Sequence, residues 1–295
     1  MTQWCSADSR AREEPLTATA SRVERWLLVE HRGAWGPQPV PSSRLPAAVA
    51  RSLARAAAAA DARLLMLRRP SGIAAGPGRR AFAVDSRPGH EQVLARTVHD
   101  DDELLRLGWD GDPQWRPYDG PLYLVCTHGR HDRCCALRGR PVAQALSRRH
   151  PDRTWECSHV GGDRFAANLL VLPEGLYLGR LAAADVVRVV EDLAAGLLPP
   201  GQVRGRASLP LPVQAAQAFA REALGRWGTA DLRPVEQVAV GAEVWRVRLA
   251  PPGVEVPGVE VVVRYDRRGD GARHLLTCDA EQAKIVPLFR LVSLS

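Results

Sequence analysis

Lysine is almost missing from this chain: Lys284 is the only one among 295 residues. The formal net charge of +7 is therefore carried by arginine. Alanine, glycine and proline are abundant beside it, as a GC-rich coding sequence produces, so arginine is raised everywhere. The arginines are scattered among acids, and no basic stripe interleaved with aromatics occurs, which argues against nucleic acid as partner. A basic surface still suits an acidic redox partner protein. Also absent is any run near the ~20 apolar residues of a membrane span. Residues 1–20 are polar and of mixed charge, without the apolar centre of a secretory signal. A cytoplasmic location is expected, where thiols stay free or bind metal rather than forming structural disulfides.

Two kinds of catalytic apparatus are missing as well. No acid pair placed for glycoside hydrolysis is discernible. No Cys-x-x-Cys pair stands at a strand-to-helix turn, the usual device for lowering a thiol pKa.

What the chain does contain is enough apolar material, 45% of its residues, for one large core or two modest ones. Residues 1–21 read as a disordered tail. Arg25–Glu30 is a short apolar strand, and an alanine-rich helix spans Leu45–Ala62. Strands follow at Arg63–Arg68 and Arg80–Asp85. The same order returns at Leu122–Cys126 (strand), Ala136–Arg149 (helix), Thr154–His159, Asn168–Leu172 and Leu176–Gly179 (strands), and Ala183–Ala195 (helix). Strand, helix, strand, hairpin, helix is the thioredoxin-like order. The earlier block is then either a degenerate repeat or extra strands on one sheet.

Pro199-Pro-Gly201 marks a break. Beyond it, a helix at Val213–Trp227 and strands at Glu243–Leu249, Val259–Asp266 and Leu275–Cys278 read as a small α+β unit over 205–295. That unit shows no cluster of chemical groups, so a structural or docking role is expected. The fold class is α/β: a thioredoxin-like domain, with its mixed sheet flanked by helices, plus the C-terminal unit. The main region spans 22–200, and its thioredoxin-like core lies at about 120–197.

Chemistry concentrates in the core. Four of the six cysteines, Cys126, Cys134, Cys135 and Cys157, lie in a short stretch that closes on His159. Eight residues separate Cys126 from Cys135, and three separate His159 from Asp163. The short loop can turn both thiols to one point, and Gly161-Gly162 lets the second loop come close. Thiolates hold iron–sulfur clusters, and imidazoles replace two of them on one iron in some centres. Two cysteines, a histidine and a fourth group therefore suit a [2Fe–2S] cluster.

The chain resembles the sucrase/ferredoxin-like family, whose members carry a thioredoxin-like ferredoxin domain. The matching segments are Leu124-Val-Cys-Thr-His-Gly-Arg-His-Asp-Arg-Cys-Cys135, Trp155-Glu-Cys-Ser-His-Val-Gly-Gly-Asp-Arg-Phe-Ala-Ala-Asn-Leu169 and Leu172-Pro-Glu-Gly-Leu-Tyr-Leu-Gly179. In cluster-bearing members the pattern is Cys-x8-Cys followed by His-x3-His. The resemblance implies Cys126, Cys135 and His159 as ligands of a [2Fe–2S] cluster in an electron carrier. Where the pattern has a second histidine this chain has Asp163, a hard donor for cluster iron.

Other readings stand beside this one. A thiol-based oxidoreductase would use Cys126 or Cys135 as nucleophile. A zinc site, or an interaction module without a cluster, accommodates Asp163 more easily. Cys157 reads as core filler ahead of ligand, and Cys134 as a bystander. His128 and His131 read as orienting or exposed groups in a polar loop, and Arg164 as an ion-pair partner of Asp163. Cys5 and Cys278 are remote in sequence and receive no role.

Overall fold

The computed structural model describes residues 4–73, 76–109, 113–251 and 258–295. A first helix, α1 (Cys5–Ala11), precedes β1 (Arg25–Glu30), α2 (Ala47–Ala59), β2 (Ala62–Arg68), β3 (Arg79–Asp85), β4 (Gln92–Val98), α3 (Asp101–Leu105) and β5 (Arg116–Pro117). Then come β6 (Leu122–Cys126), α4 (Arg133–Arg149), β7 (Thr154–Cys157), β8 (Leu169–Leu172), β9 (Leu176–Leu178), α5 (Val186–Ala194) and β10 (Val203–Arg206). The ten strands form one mixed sheet. Several are apolar runs too short for a buried helix, which pair on both edges and are covered on both faces.

Strand pairing shows a repeat. β1 runs parallel to β2 and antiparallel to β3, which is antiparallel to β4, so the spatial order is β2-β1-β3-β4. β6 runs parallel to β7 and antiparallel to β8, which is antiparallel to β9, giving β7-β6-β8-β9. Each half is a thioredoxin-like unit with a crossover helix between its parallel strands, α2 in one and α4 in the other. The halves join where β2 meets β7 antiparallel, Leu67 beside Cys157 and Arg68 beside Glu156. Equivalent strands meeting antiparallel define an approximate twofold axis through the seam. The earlier block is thus both a repeat and part of the same sheet.

Alternation along β6 divides its side chains between two cores. Tyr123 and Val125 lie under α4 and α5 with Val142, Leu146, Val186 and Val190. Leu122, Leu124 and Cys126 face the other side with Trp26, Phe82, Trp155 and Tyr177. On that face the sheet curls. Trp26 on β1 and Tyr177 on β9 are separated by four strands, yet their ring centroids are 6.4 Å apart. Five strand spacings in a flat sheet would place them about 24 Å apart. The concave face thereby encloses its own aromatic core.

Past β10 the chain forms α6 (Leu211–Leu224) and an antiparallel sheet of β11 (Arg233–Gly241), β12 (Val244–Ala250) and β13 (Val259–Asp266). A small pair, β14 (Arg273–His274) and β15 (Lys284–Ile285), precedes β16 (Leu288–Leu294), which closes the sheet beside β13. Val213, Ala216 and Ala220 of α6 pack on Val247, Leu249, Val261 and Val263. A helix on a small antiparallel sheet is what the sequence predicts. Leu275–Cys278, expected as a strand, instead lies in the loop between β14 and β15. Residues 1–21, expected as a disordered tail, are ordered from Trp4 onward: α1 buries Cys5, Ser6 and Ser9. Among the described residues no helix is long and apolar enough to cross a membrane.

The approach of α4 to β6 positions everything that follows. At Gly139 an added Cβ would collide with the backbone oxygen of Cys126. Glycine costs an ordinary helix interior roughly 1 kcal/mol relative to alanine, whereas overpacking against backbone costs about 1–3 kcal/mol. Gly139→Ala is therefore expected to destabilise the protein despite its better helix propensity. A urea midpoint that rises in this variant would contradict the close approach.

Candidate metal site

Cys126 ends β6, and its amide donates to Asn168 O at 3.1 Å. The chain then turns tightly. Thr127 N bonds Cys157 O at 3.2 Å, and the amides of His131 and Asp132 both reach His128 O at 3.1 Å. Asp132 caps α4 by accepting from Cys134 N at 2.7 Å. This cap sets the first helical turn, where Cys134 and Cys135 project in different directions. Cys135 returns to Cys126 in the concave core, while Cys134 turns toward α1.

The second ligand-bearing loop leaves β7. Gly161 and Gly162 both have positive φ, 97° and 79°, and a Cβ on Gly162 would strike the Arg204 guanidinium. Arg204, on β10, is 2% exposed. It donates to Thr19 Oγ1 (3.1 Å), Thr19 O (2.6 Å), Gly161 O (2.9 Å) and Asn168 Oδ1 (2.9 Å). Asn168 in turn donates to Gly162 O at 2.8 Å. So fastened, the loop enters a 3-10 turn over Asp163–Phe165 that aims Asp163 at the cysteines.

The sequence-predicted residues converge. Ligand atoms of Cys126, Cys135 and His159 all lie within 4.8 Å of one another, and those of His131, His159 and Asp163 form a second such group. Cys135 Sγ lies 3.2 Å from Asp163 Oδ1. His159 Nδ1 stands 2.9 Å from the same oxygen and pairs with it. His131 stacks on His159 with ring centroids 3.7 Å apart, and its Nε2 is 3.6 Å from Asp163 Oδ2. The thiols are 1% exposed, whereas the side chains of His159 and His131 are 19% and 36% exposed. The site is therefore sulfur-lined inside and imidazole-lined toward the surface.

Electrostatics sort the protons. A bond from Cys135 holds Cys126 well below the usual thiol range, against its burial and helped by His159. Giving that bond, together with burial, holds Cys135 well above it. Burial works against a charged His159, but Asp163 and Cys126 outweigh it and lift the imidazole to about 9. Burial likewise opposes ionisation of Asp163, yet His159 and Cys135 keep its pKa low. The pocket thus favours the charged forms of His159 and Asp163 and acidifies the Cys126 thiol. A cation entering it displaces the protons of Cys135 and His159.

Arg164, Cys134 and Cys5 depart from the sequence expectation. Arg164 pairs with Glu14 at 2.6 Å rather than with Asp163, because α1 and the segment after it cover this edge. Cys134 is no bystander: it meets Cys278 Sγ at 3.3 Å, so the C-terminal unit does contribute to a cluster. Cys5 joins them, with Cys278 Sγ 3.6 Å away. Cys157 is fully buried in the concave core and belongs to neither donor group around His159. His128 is oriented by Gly36 O at 2.8 Å and by the edge of Trp35. His131, between the two cysteines in sequence, is the site neighbour that spacing alone does not single out.

Strand order and donor set together define a thioredoxin-like α/β protein with a cysteine- and histidine-lined site able to hold metal. A family model described as Sucrase/ferredoxin-like matches residues 16–205, and the chain belongs to that family. Among solved structures, it is similar to a cysteine-to-serine variant of the thioredoxin-like [2Fe–2S] ferredoxin from Aquifex aeolicus. The identity is 21%, over 28% of this chain and 97% of the other, with a TM-score of 0.25. No curated protein matches the chain.

Arg204 fastens the Asp163 loop without a carboxylate among its four hydrogen bonds. Arg204→Met would keep the apolar stem and leave four acceptors unserved, one buried and three partly buried. Each unserved group costs ~1–3 kcal/mol less whatever relaxation recovers, so a loss of about 2–4 kcal/mol is expected by urea denaturation. Unchanged stability would show that the loop does not depend on this residue.

Proposed function

We propose that the protein is an electron carrier that holds a [2Fe–2S] cluster at Cys126, Cys135, His159 and Asp163. The observation that carries this reading is the convergence of two buried thiols, an imidazole and a buried carboxylate from two separate loops. The donors fall into pairs, the thiols Cys126 and Cys135 on one side and His159 with the buried Asp163 on the other, as a centre with two sulfur ligands on one iron requires. When bound, the cluster supplies one-electron chemistry at a potential raised by imidazole ligation.

The chain's residues do the rest. Burial excludes solvent from the sulfur side, while the stacked rings of His159 and His131 connect the site to the surface. We assign the fourth position to Asp163 because it is 4% exposed and in contact with both Cys135 and His159. His131, the softer donor, is the competitor. Arg130 and Arg140 border a cleft beside His128, a surface suited to an acidic redox partner. A thiol enzyme fits poorly, because a nucleophile needs access and Cys126 is 1% exposed. Zinc accepts the same donors, so metal analysis decides between the two.

Protein purified anaerobically is expected to be red-brown, with iron and acid-labile sulfide in equal amounts of about two per chain. Cys135→Ser should bleach it and leave far-UV circular dichroism native, since the cores do not need the metal. Asp163→Ala should lose most of its iron, Asp163→His should retain it more firmly, and His131→Ala should change it little. Retention in Asp163→Ala with loss in His131→Ala would move the fourth ligand to His131. Colourless protein with zinc bound through Cys126 and Cys135 would refute the cluster.

A further inference from the structure

A second cluster of thiols lies behind the first, built by segments that sequence keeps far apart. Cys5 comes from α1, Cys134 from the first turn of α4, and Cys278 from the loop between β14 and β15. Cys5 and Cys278 are 273 positions apart in sequence. With Asp132 these residues offer four ligand atoms, all within 4.8 Å of one another. Cys5, Cys134 and Asp132 are buried, and Cys278 is at the rim.

The spacing discriminates between chemistries. Sγ of Cys278 is 3.3 Å from that of Cys134 and 3.6 Å from that of Cys5. A disulfide would bring two sulfurs to about 2.05 Å. Three thiolates around one tetrahedral zinc, at about 2.3 Å each, stand about 3.8 Å apart. The observed gaps approach the second figure, and their tightness leaves room for one ion rather than a polynuclear cluster.

Asp132 supplies an independent argument. It is completely buried, with one oxygen accepting from Cys134 N at 2.7 Å and the other from Cys278 N at 2.6 Å. Its sequence neighbour Arg133 turns outward to Asp279 at 3.1 Å. Among the described residues no arginine or histidine forms an ion pair with Asp132. A carboxylate sealed from water without a cation is costly, and both oxygens keep lone pairs free for a metal. Cys5 Sγ lies 3.8 Å from one oxygen and 3.7 Å from the other, so the acid completes the ring of donors.

We propose that Cys5, Cys134, Cys278 and Asp132 bind a structural zinc ion. Four protein donors leave no open position, which marks a structural rather than a catalytic zinc. The ion would fasten α1 and the C-terminal unit to the N-terminus of α4. Cys134 would serve this site while its neighbour Cys135 serves the other. The proposal does not depend on the identity of the metal at Cys126.

Zinc and iron analysis of full-length variants tests it. A Cys126→Ser, Cys135→Ser double variant is expected to lack iron and still carry about one zinc per chain. Cys278→Ala added to this double variant should leave it without zinc, and Cys278→Ala alone should retain iron and the visible spectrum. Cys278→His, which restores a zinc donor, should recover the zinc; this arm separates loss of a ligand from loss of the fold. The double variant purifying without zinc, or its zinc unchanged when Cys278→Ala is added, would overturn the proposal. So would a disulfide among Cys5, Cys134 and Cys278 in fresh protein, detected by mass spectrometry under non-reducing conditions.

Discussion

The first turn of α4 against the end of β6 is the constraint on which the rest of this molecule depends. Gly139 lets the helix approach the Cys126 carbonyl closely, and Asp132 fixes where the helix begins. Once both are set, Cys135 faces the concave core and Cys134 faces the termini. Displacing the helix would separate Cys135 from Cys126, His159 and Asp163, and separate Cys134 from Cys5 and Cys278. Short-range packing at one strand end thus governs two clusters.

The internal repeat explains how such a site is supported. Both halves have the same strand order, but the cysteines of the candidate site come from the second. The corresponding loop of the first half, after β1, has become a platform instead. Gly36 O and the edge of Trp35 hold His128, and the Arg68 guanidinium lies over the Trp35 ring at 4.3 Å. Arg68 also bonds Glu156 at 2.7 Å, and Glu156 accepts from Thr127 Oγ1 at 2.9 Å. A chain of contacts therefore runs from the first half, across the seam, to the loop between Cys126 and Cys135. Joining the halves through β2 and β7 allows one to orient the other's chemistry.

Much of this was legible in the residues. β6 coincides with its apolar run, and β7, β8 and β9 lie within one or two residues of theirs, because strands buried on both faces are continuous in hydrophobicity. β4 was not legible, since Arg96 is buried in it and balanced by Glu103 at 3.3 Å, which disguises the period. β11 and β16 escaped because they lie at the edges of their sheet with most side chains exposed. The order of the N-terminal segment depends on tertiary burial of Cys5, Ser6 and Ser9, which polar composition conceals. The first site was readable because its ligands occupy two short loops. The Cys5, Cys134 and Cys278 cluster was not, because three segments distant in sequence build it, and no spacing rule links them.

The central claim, that an imidazole and two thiols of this chain hold one redox cluster, is tested most directly by pulsed electron paramagnetic resonance on the chemically reduced protein. A paramagnetic iron–sulfur signal with hyperfine coupling to an imidazole nitrogen is expected. That coupling should disappear in His159→Cys while the iron remains. A reduced cluster without nitrogen coupling in the unaltered protein, or one whose coupling survives in His159→Cys, would contradict it.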